Sequence, residues 1–481
     1  MKYALYPSGI HYSSVRKIAE KYADMELEFI IDDSKCGTCF DGVDVAGLDD
    51  VSDRIKRENI CVIVNSDTYA EAITENLRKK GITNHTHYKD FIVTTLDRIA
   101  ENMAKGKKGS IGIYFQHNMY RRHLGDIPFR LKEMGYGVTV FSEVDSKDRY
   151  SEEFHFIAPI EGWMVENLKN IDVFITTDMF TKLPKASRRV HFPHGMFTFE
   201  SFVSTDLVDK DNRANIPRFT EIFEGFDYIA CMRPSTIRLL ETVSDYTRRE
   251  KSTLLIPCGY PSVDINLKAT SDISDGRDSV LYAPAGKYVP GSSTFADYTS
   301  FPKYSADILN ELARIFEDKR IIFRPHPGSL KDASEHIARI MEETALSGRV
   351  VLDSGNNSQK EAMSRSVLTV TDHSSTGYNF ALTQLRPVVF FQRGNPDITA
   401  FVGETAFTDA YFRFRNEVGV VVSSVNELKQ GIESAFRRFD EKHIMEFREN
   451  FFFNPGKSED YFIENFESII KGINSSGWKM V

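Results

Sequence analysis

Apolar positions in this chain follow two rhythms that keep changing places. Short continuous runs such as Tyr3–Tyr6, Leu27–Ile31 and Ile60–Asn65 read as strands, and between them Tyr12–Tyr22, Val51–Glu58 and Tyr69–Lys79 read as helices. Gly81 stops the last of these helices, and Asp41-Gly42 marks a turn. The alternation resumes after a polar, glycine-punctuated stretch, Ala104–Ser110. Strands are expected at Ile111–Phe115, Val138–Phe141, Val173–Thr176, Phe226–Cys231 and Leu254–Cys258, with helices at Leu124–Met134 and Ser235–Ser244. The Ser/Asp-rich stretch Leu267–Arg277 reads as a crossing to a third set. There the strands are Val280–Ala283, Arg320–Phe323, Val350–Leu352, Val367–Val370 and Val388–Phe391. Helices Tyr304–Phe316, Ile337–Thr344, Gln359–Ser364 and Thr376–Thr383 separate them, and Val425–Phe439 and Asp460–Ile470 close the chain.

Strands alternating with helices imply parallel sheets. The expected fold class is therefore α/β: a small Rossmann-like unit over residues 1–103, then two tandem doubly wound domains over 110–266 and 278–475. Two such domains with a crevice between them are the layout of the GT-B architecture. A length of 481 residues fits two or three domains at about 150 residues each.

Composition narrows the function classes. With 41% hydrophobic and 27% charged residues, the chain can bury a substantial core. A net charge of -9 argues against general nucleic-acid binding, because no basic excess meets a phosphate backbone. No secretory leader is read at the start, where Met1–Leu5 runs at once into Tyr6-Pro7-Ser8, and no apolar run is long enough to span a bilayer. The expectation is a cytoplasmic protein. An odd count of 5 cysteines fits a reducing compartment. Cys36 and Cys39 form a Cys-x-x-Cys, but no second pair at similar spacing supports a zinc ribbon, so they read as loop cysteines.

Candidate chemistry gathers where apolar strands end. Phe323-Arg324-Pro325-His326-Pro327 follows one strand and Asp372-His373-Ser374-Ser375-Thr376 follows another. In an open α/β sheet, ligands bind at the carboxyl ends of the strands. Arg324 has the fork geometry that matches phosphate oxygens, and the flanking prolines stiffen its segment. Gly328 and Ser329 are expected to open an anion-binding nest. Ser374, Ser375 and Thr376 open a helix, where a capping hydroxyl and spare N–H groups suit an anion. Asp372 is expected to hold a hydroxyl or to orient His373, and a single carboxylate there is a poor cage for magnesium, so no metal is expected. Lys287, in Tyr282-Ala283-Pro284-Ala285-Gly286-Lys287, is placed to neutralise a diphosphate. His194 ends a strand and is followed by Gly195, which lets backbone approach a ligand; an imidazole there can take a proton from a hydroxyl.

Taken in order, His194-Gly195, Gly259-Tyr260-Pro261, Tyr282-Ala283-Pro284, Arg324-Pro325-His326-Pro327, Asp372-His373-Ser374-Ser375 and Arg386-Pro387 carry a resemblance to the CDP-glycerol glycerophosphotransferases, the teichoic-acid and capsule polymerases. It covers roughly residues 110–475. The first hundred residues resemble instead the small nucleotide-binding-like unit at the front of some bacterial sugar acetyltransferases, through Asp32-Asp33 and Gly42-Val43-Asp44-Val45.

The main resemblance implies a GT-B fold and metal-independent transfer from a CDP-linked donor, a substrate rather than a cofactor, to a hydroxyl acceptor. It implies that His194 is the general base. Arg324 and His326 would hold the donor phosphates, with His326 stabilising the leaving nucleotide, and Ser374 and Ser375 would contact phosphate. Lipid-linked or polymeric acceptors, and with them peripheral membrane contact, are implied in the same way, and a homo-oligomer is compatible with it. The chain departs from the family pattern at Met196-Phe197-Thr198-Phe199, at Ala285-Gly286-Lys287 and at His373. Those departures leave open a GT-B sugar transferase using another nucleotide donor, or a nucleotide binder without turnover.

Overall fold

The computed structural model describes residues 1–179, 181–196, 198–199, 216–245, 247, 249, 251–270, 277–285, 299–345, 348–354, 359–392 and 414–481. The chain forms two compact units, Met1–Tyr120 with Pro128–Val190, and Arg121–Ile127 with His191–Val481.

The first unit begins with a six-stranded sheet in the order β3-β4-β2-β1-β5-β6. Its strands are β1 (Lys2–Tyr6), β2 (Glu26–Ile31), β3 (Cys39–Phe40), β4 (Val43–Ala46), β5 (Cys61–Val64) and β6 (His85–His87). All pairs are parallel except the β3–β4 hairpin, whose turn residues Asp41 and Gly42 both have positive φ (51° and 76°). That turn chemistry was visible as Asp-Gly, but the flanking strands were not expected. Helix Leu48–Glu58 shows why such segments fold. Leu48, Val51 and Ile55 are buried on one face, Asp33 Oδ1 accepts from Leu48 N at 2.7 Å, and Lys56 and Arg57 sit in the last turn beside the negative helix end.

A second sheet in this unit places β7 (Ser110–Phe115), β8 (Gly137–Ser142), β9 (His155–Ile157) and β10 (Val173–Thr176) in the order β10-β7-β8-β9; β11 (Arg188–His191) ends where the second unit begins. Helix Tyr88–Ala104, which the sequence reading missed, is shared: it packs on β5 and β6 and also on β7 and β8. Further ties fix the front sheet. Asp97 accepts from the amides of Lys169 (2.7 Å) and Asn170 (3.1 Å), and the Tyr22 hydroxyl accepts from Ala158 N (2.9 Å). The front module is thus built into its unit and is no appendage.

In the second unit, β12 (Tyr228–Ala230) and β13 (Leu254–Ile256) run parallel, and β20 (Lys479–Met480) pairs antiparallel with β13. An all-parallel sheet follows in the order β16-β15-β14-β17-β18-β19. It consists of β14 (Ser279–Tyr282), β15 (Arg320–Phe323), β16 (Val350–Leu352), β17 (Ser366–Thr371), β18 (Val388–Phe391) and β19 (Val420–Val422). Both faces are covered, so β14 is buried at every position: Val280 and Tyr282 enter one apolar cluster, Leu281 and Ala283 the other. The chain goes outward from β14 through β15 to β16, then returns to the other side at β17. The strand order therefore reverses between β14 and β17, the position at whose carboxyl ends open α/β sheets bind their ligands.

Two expected boundaries are corrected. The helix expected at Leu124–Met134 is broken: a 3-10 turn covers Asn118–His123, Gly125 has φ +55°, and a helix runs only over Ile127–Glu133. Leu267 is not yet in a crossing, because helix Pro261–Thr270 includes it. Helix Glu441–Phe451, also unexpected, packs Ile444 and Phe451 into the apolar cluster that holds Leu281.

Candidate active site

The reversal point of the second unit's parallel sheet collects most of the expected residues. Arg324 is the first residue after β15, and its N donates to Tyr282 O at 2.9 Å. Its Nη1 is paired with the carboxylate of Asp353, the first residue after β16, which is buried. Asp353 N in turn donates to Phe323 O at 2.8 Å. The guanidinium is thus held at the sheet edge by a carboxylate the sequence reading did not single out. That pairing fixes the direction of the fork.

His326 is exposed and caps helix Pro327–Asp332, its Nδ1 accepting from Gly328 N at 3.1 Å. With Nδ1 as acceptor, the neutral ring carries its proton on Nε2. The expected nest at Gly328 and Ser329 is corrected, since both amides turn inward to His326: Gly328 N to the ring and Ser329 N to the carbonyl at 2.8 Å.

Across the reversal, Ser374 caps helix Ser375–Gln384. Its Oγ accepts from Thr376 N at 3.2 Å and donates to Thr376 Oγ1 at 3.0 Å. No acidic residue occupies that helix's first turn, so its positive end is not neutralised from within. Ser375 and Thr376 are half-buried beside it.

Of the two roles expected for Asp372, holding a hydroxyl and orienting His373, its contacts match the first, with hydroxyls of the chain itself. It is fully buried and accepts from Ala285 N (2.7 Å), Thr299 Oγ1 (3.1 Å), Ser300 N (2.9 Å) and Ser300 Oγ (2.9 Å). His373 Nδ1 is 4.0 Å away, beyond hydrogen-bond reach. The carboxylate therefore clamps the two chain segments at Ala285 and Thr299–Ser300 to the end of β17. Lys287, with Gly286, lies outside the described residues.

His194 belongs to a second group of side chains in the same unit. It is half-buried, and Gly195 O accepts from Thr198 N (3.2 Å) and Oγ1 (2.7 Å), which fixes the loop. The His194 ring stands edge-on to His123, with ring centres 6.4 Å apart. His123 was not foreseen. Its ring is stacked on Tyr260 at 5.7 Å, and its Nδ1 lies 2.7 Å from the Tyr260 hydroxyl. Arg122 Nε approaches His123 Nε2 at 3.4 Å. Complete burial, and then the charges of Arg122 and His194, push His123 well below the usual histidine range, so it stays neutral. Burial likewise pushes the Tyr260 phenol up to about 12. Met196 and Tyr260 share one apolar cluster with Ala283 and Tyr378, so the His194 loop and the Gly-Tyr-Pro motif pack against the parallel sheet and the Ser374-capped helix.

The Asp264 carboxylate, one helical turn beyond Tyr260, ties the last long helix, Ser458–Lys471, to this region. It accepts from Gly456 N (2.8 Å), Ser458 N (2.7 Å) and Ser458 Oγ (2.8 Å), and burial pushes it up to about 6. Among the described residues no group of His, Cys, Asp and Glu is arranged to hold a metal ion, and no helix is long and apolar enough to cross a membrane. Cys36 and Cys39 are exposed free thiols.

The family described as CDP-Glycerol:Poly(glycerophosphate) glycerophosphotransferase matches residues 136–466. The fold is similar to that of the wall teichoic acid polymerase TagF: for one variant, 14% identity with 83% of this chain and 97% of that chain covered, at a TM-score of 0.51. The same variant soaked with CDPG gives 14% identity, 83% and 97% coverage, and a TM-score of 0.52. A Listeria monocytogenes structure assigned to UDP-N-acetylglucosamine 2-epimerase is similar at 12% identity, covering 76% of this chain and 97% of that one, with a TM-score of 0.51. No curated protein sequence matches the chain. The likeness to these structures is one of fold, and a fold shared with an epimerase does not choose the reaction.

Proposed function

The chain belongs to the CDP-glycerol:poly(glycerophosphate) glycerophosphotransferase family, and from that premise we propose how its residues divide the transfer of glycerol phosphate from CDP-glycerol to a hydroxyl. The donor diphosphate lies at the reversal point of the parallel sheet. The unneutralised start of helix Ser375–Gln384, with the hydroxyls of Ser374, Ser375 and Thr376, faces its oxygens. Arg324, aimed by Asp353, pairs with the same oxygens from the neighbouring strand. Lys287 adds a further charge.

His194 acts as the general base. It takes the proton of the acceptor hydroxyl as that oxygen attacks the phosphorus of the glycerol-phosphate group. The bond from that phosphorus to the bridging oxygen breaks, and CMP leaves. His326, whose Nε2–H is fixed by the capping bond at Nδ1, donates to the oxygen on which charge develops. A neutral His123 beside His194 serves this scheme, since a second cation there would hold His194 deprotonated more strongly than a base should be. The transfer runs without a metal ion, the positive charge being supplied by Arg324, Lys287 and the helix end. The acceptor is a polymer or lipid-linked hydroxyl at the inner membrane surface, reached by peripheral contact.

One observation carries the reading: the Ser374-capped helix end and the Arg324–Asp353 pair converge on one strand-order reversal. The test is CMP release measured with CDP-glycerol and a panel of UDP- and GDP-sugars. CDP-glycerol alone is expected to turn over, and His194→Ala is expected to abolish turnover while circular dichroism stays unchanged. Full activity in His194→Ala, or preference for a UDP-sugar, overturns the scheme.

A further inference from the structure

Residues Arg121–Ile127 follow β7 in the chain, yet they pack with the second unit. Within that segment exposure alternates sharply. Arg121 and His123 are buried, at 6% and 1%, while Arg122 between them is exposed. The buried histidine is anchored by the 2.7 Å contact with Tyr260, and Asp126 N donates to the buried carboxylate of Glu459 at 3.1 Å. A segment pinned on both sides thus presents one outward guanidinium, and its Nε lies 3.4 Å from the ring that abuts His194.

We propose that Arg122 is the specificity-determining residue of the acceptor site, and that it reads a phosphodiester one unit behind the attacking hydroxyl. The inference rests on His194 being the base that receives that hydroxyl. In a glycerol-phosphate chain the terminal oxygen and the preceding phosphorus are separated by five bonds, on the order of 6 Å when extended. That span is comparable to the 6.4 Å between the His194 and His123 rings. An acceptor whose hydroxyl sits at His194 and whose chain runs toward the His123 side thus puts its own phosphodiester within reach of the exposed Arg122, the cation beside that buried ring. His123 cannot take that role, because burial keeps it neutral. Its part is positional: it carries no charge to the acceptor and gives Arg122 and His194 a common wall. A planar guanidinium at that spot favours an anionic chain over a neutral polyol.

The experiment measures binding of a synthetic glycerol-phosphate trimer to the full chain without CDP-glycerol, so that its outcome does not depend on turnover. Arg122→Gln is expected to weaken trimer binding roughly tenfold or more, the usual effect of losing a charge-assisted hydrogen bond, and Arg122→Lys to recover most of it. Unphosphorylated triglycerol is expected not to compete on the wild-type chain. Equal binding by wild type and Arg122→Gln overturns the proposal. So does effective competition by triglycerol, or by inorganic phosphate at the same concentration, which would mark a site for any anion. If Arg122→Gln fails to fold, the Lys variant and the competition arms still decide. Failure of the transfer scheme shows up separately, as a wild-type chain that releases no CMP from CDP-glycerol.

Discussion

The His123 imidazole and the Tyr260 phenol, 137 residues apart in the chain, meet at 2.7 Å in the buried wall behind His194. That contact gives the tyrosine of the Gly-Tyr-Pro motif a physical purpose. It gives a nitrogen of a fully buried ring a hydrogen-bonding partner. Tyr260→Phe keeps the stacking and removes the hydrogen bond. A stability loss of about 1–3 kcal/mol is expected in urea unfolding, together with a lower kcat, because the wall against His194 loosens. A variant as stable and as active as wild type would show that the contact has no such role.

The Arg324–Asp353 pair predicts a separation of stability from binding. Arg324→Ala takes the guanidinium away from a buried carboxylate, which costs about 3 kcal/mol or more. The double variant Arg324→Ala/Asp353→Ala is expected to recover most of that stability, while KM for CDP-glycerol stays raised in both. Thermal melting and donor titration read the two effects independently. Recovery of donor binding in the double variant would mean that Arg324 acts only as a structural partner.

Asp372→Asn tests the clamp. The amide can accept at only one of its two former oxygen positions, so the anchorage at Ala285 or at Thr299–Ser300 is lost. KM for CDP-glycerol is expected to rise at least about tenfold, the equivalent of one or two such bonds, with kcat changed much less. A fall in kcat with an unchanged KM would place Asp372 closer to the chemistry than its contacts indicate.

Two buried groups set opposite pH dependences of stability. Asp264 is raised from 3.8 to about 6, so its contribution is full below pH 3.8 and is lost as pH rises through 6. Between pH 5 and pH 7 the loss is roughly 1 kcal/mol. His123 is lowered well below 6.5, so the unfolded chain takes up its proton first and stability falls as pH drops through 6.5. Urea midpoints of Asp264→Asn are expected to lose the alkaline decline and keep the acid one. An unaltered alkaline limb would rule out Asp264 as its source.

Local signals made much of this molecule legible. Val367–Val370 falls inside β17 and Arg320–Phe323 coincides with β15, because continuous apolar runs after polar breaks have few alternatives to a buried parallel strand. The placement of Arg324, His326 and Ser374 at strand ends followed from the same runs. What could not be read was any relation between distant residues. Asp372 was visible, but its partners lie 72 and 87 positions away. Asp353 was a single acidic residue after a weak strand, and nothing local marks it as the partner of Arg324. His123 stands just before the helix expected at Leu124–Met134 and was not singled out, and the break at Gly125 that frees the segment was missed. The run Tyr120-Arg121-Arg122-His123 was the available signal, since two cations and an imidazole rarely precede a helix that wants acidic residues in its first turn.

The excursion of Arg121–Ile127 into the second unit also dictates an order of assembly. During synthesis this segment leaves the ribosome well before Tyr260 and Glu459, its later companions, have been made. Leu124 and Ile127, both fully covered in the finished fold, are made long before those companions and stay uncovered until they arrive. Truncations that stop short of Glu459 should therefore yield a nascent chain with exposed apolar side chains at this segment, the kind of surface that chaperones hold until the carboxyl end arrives.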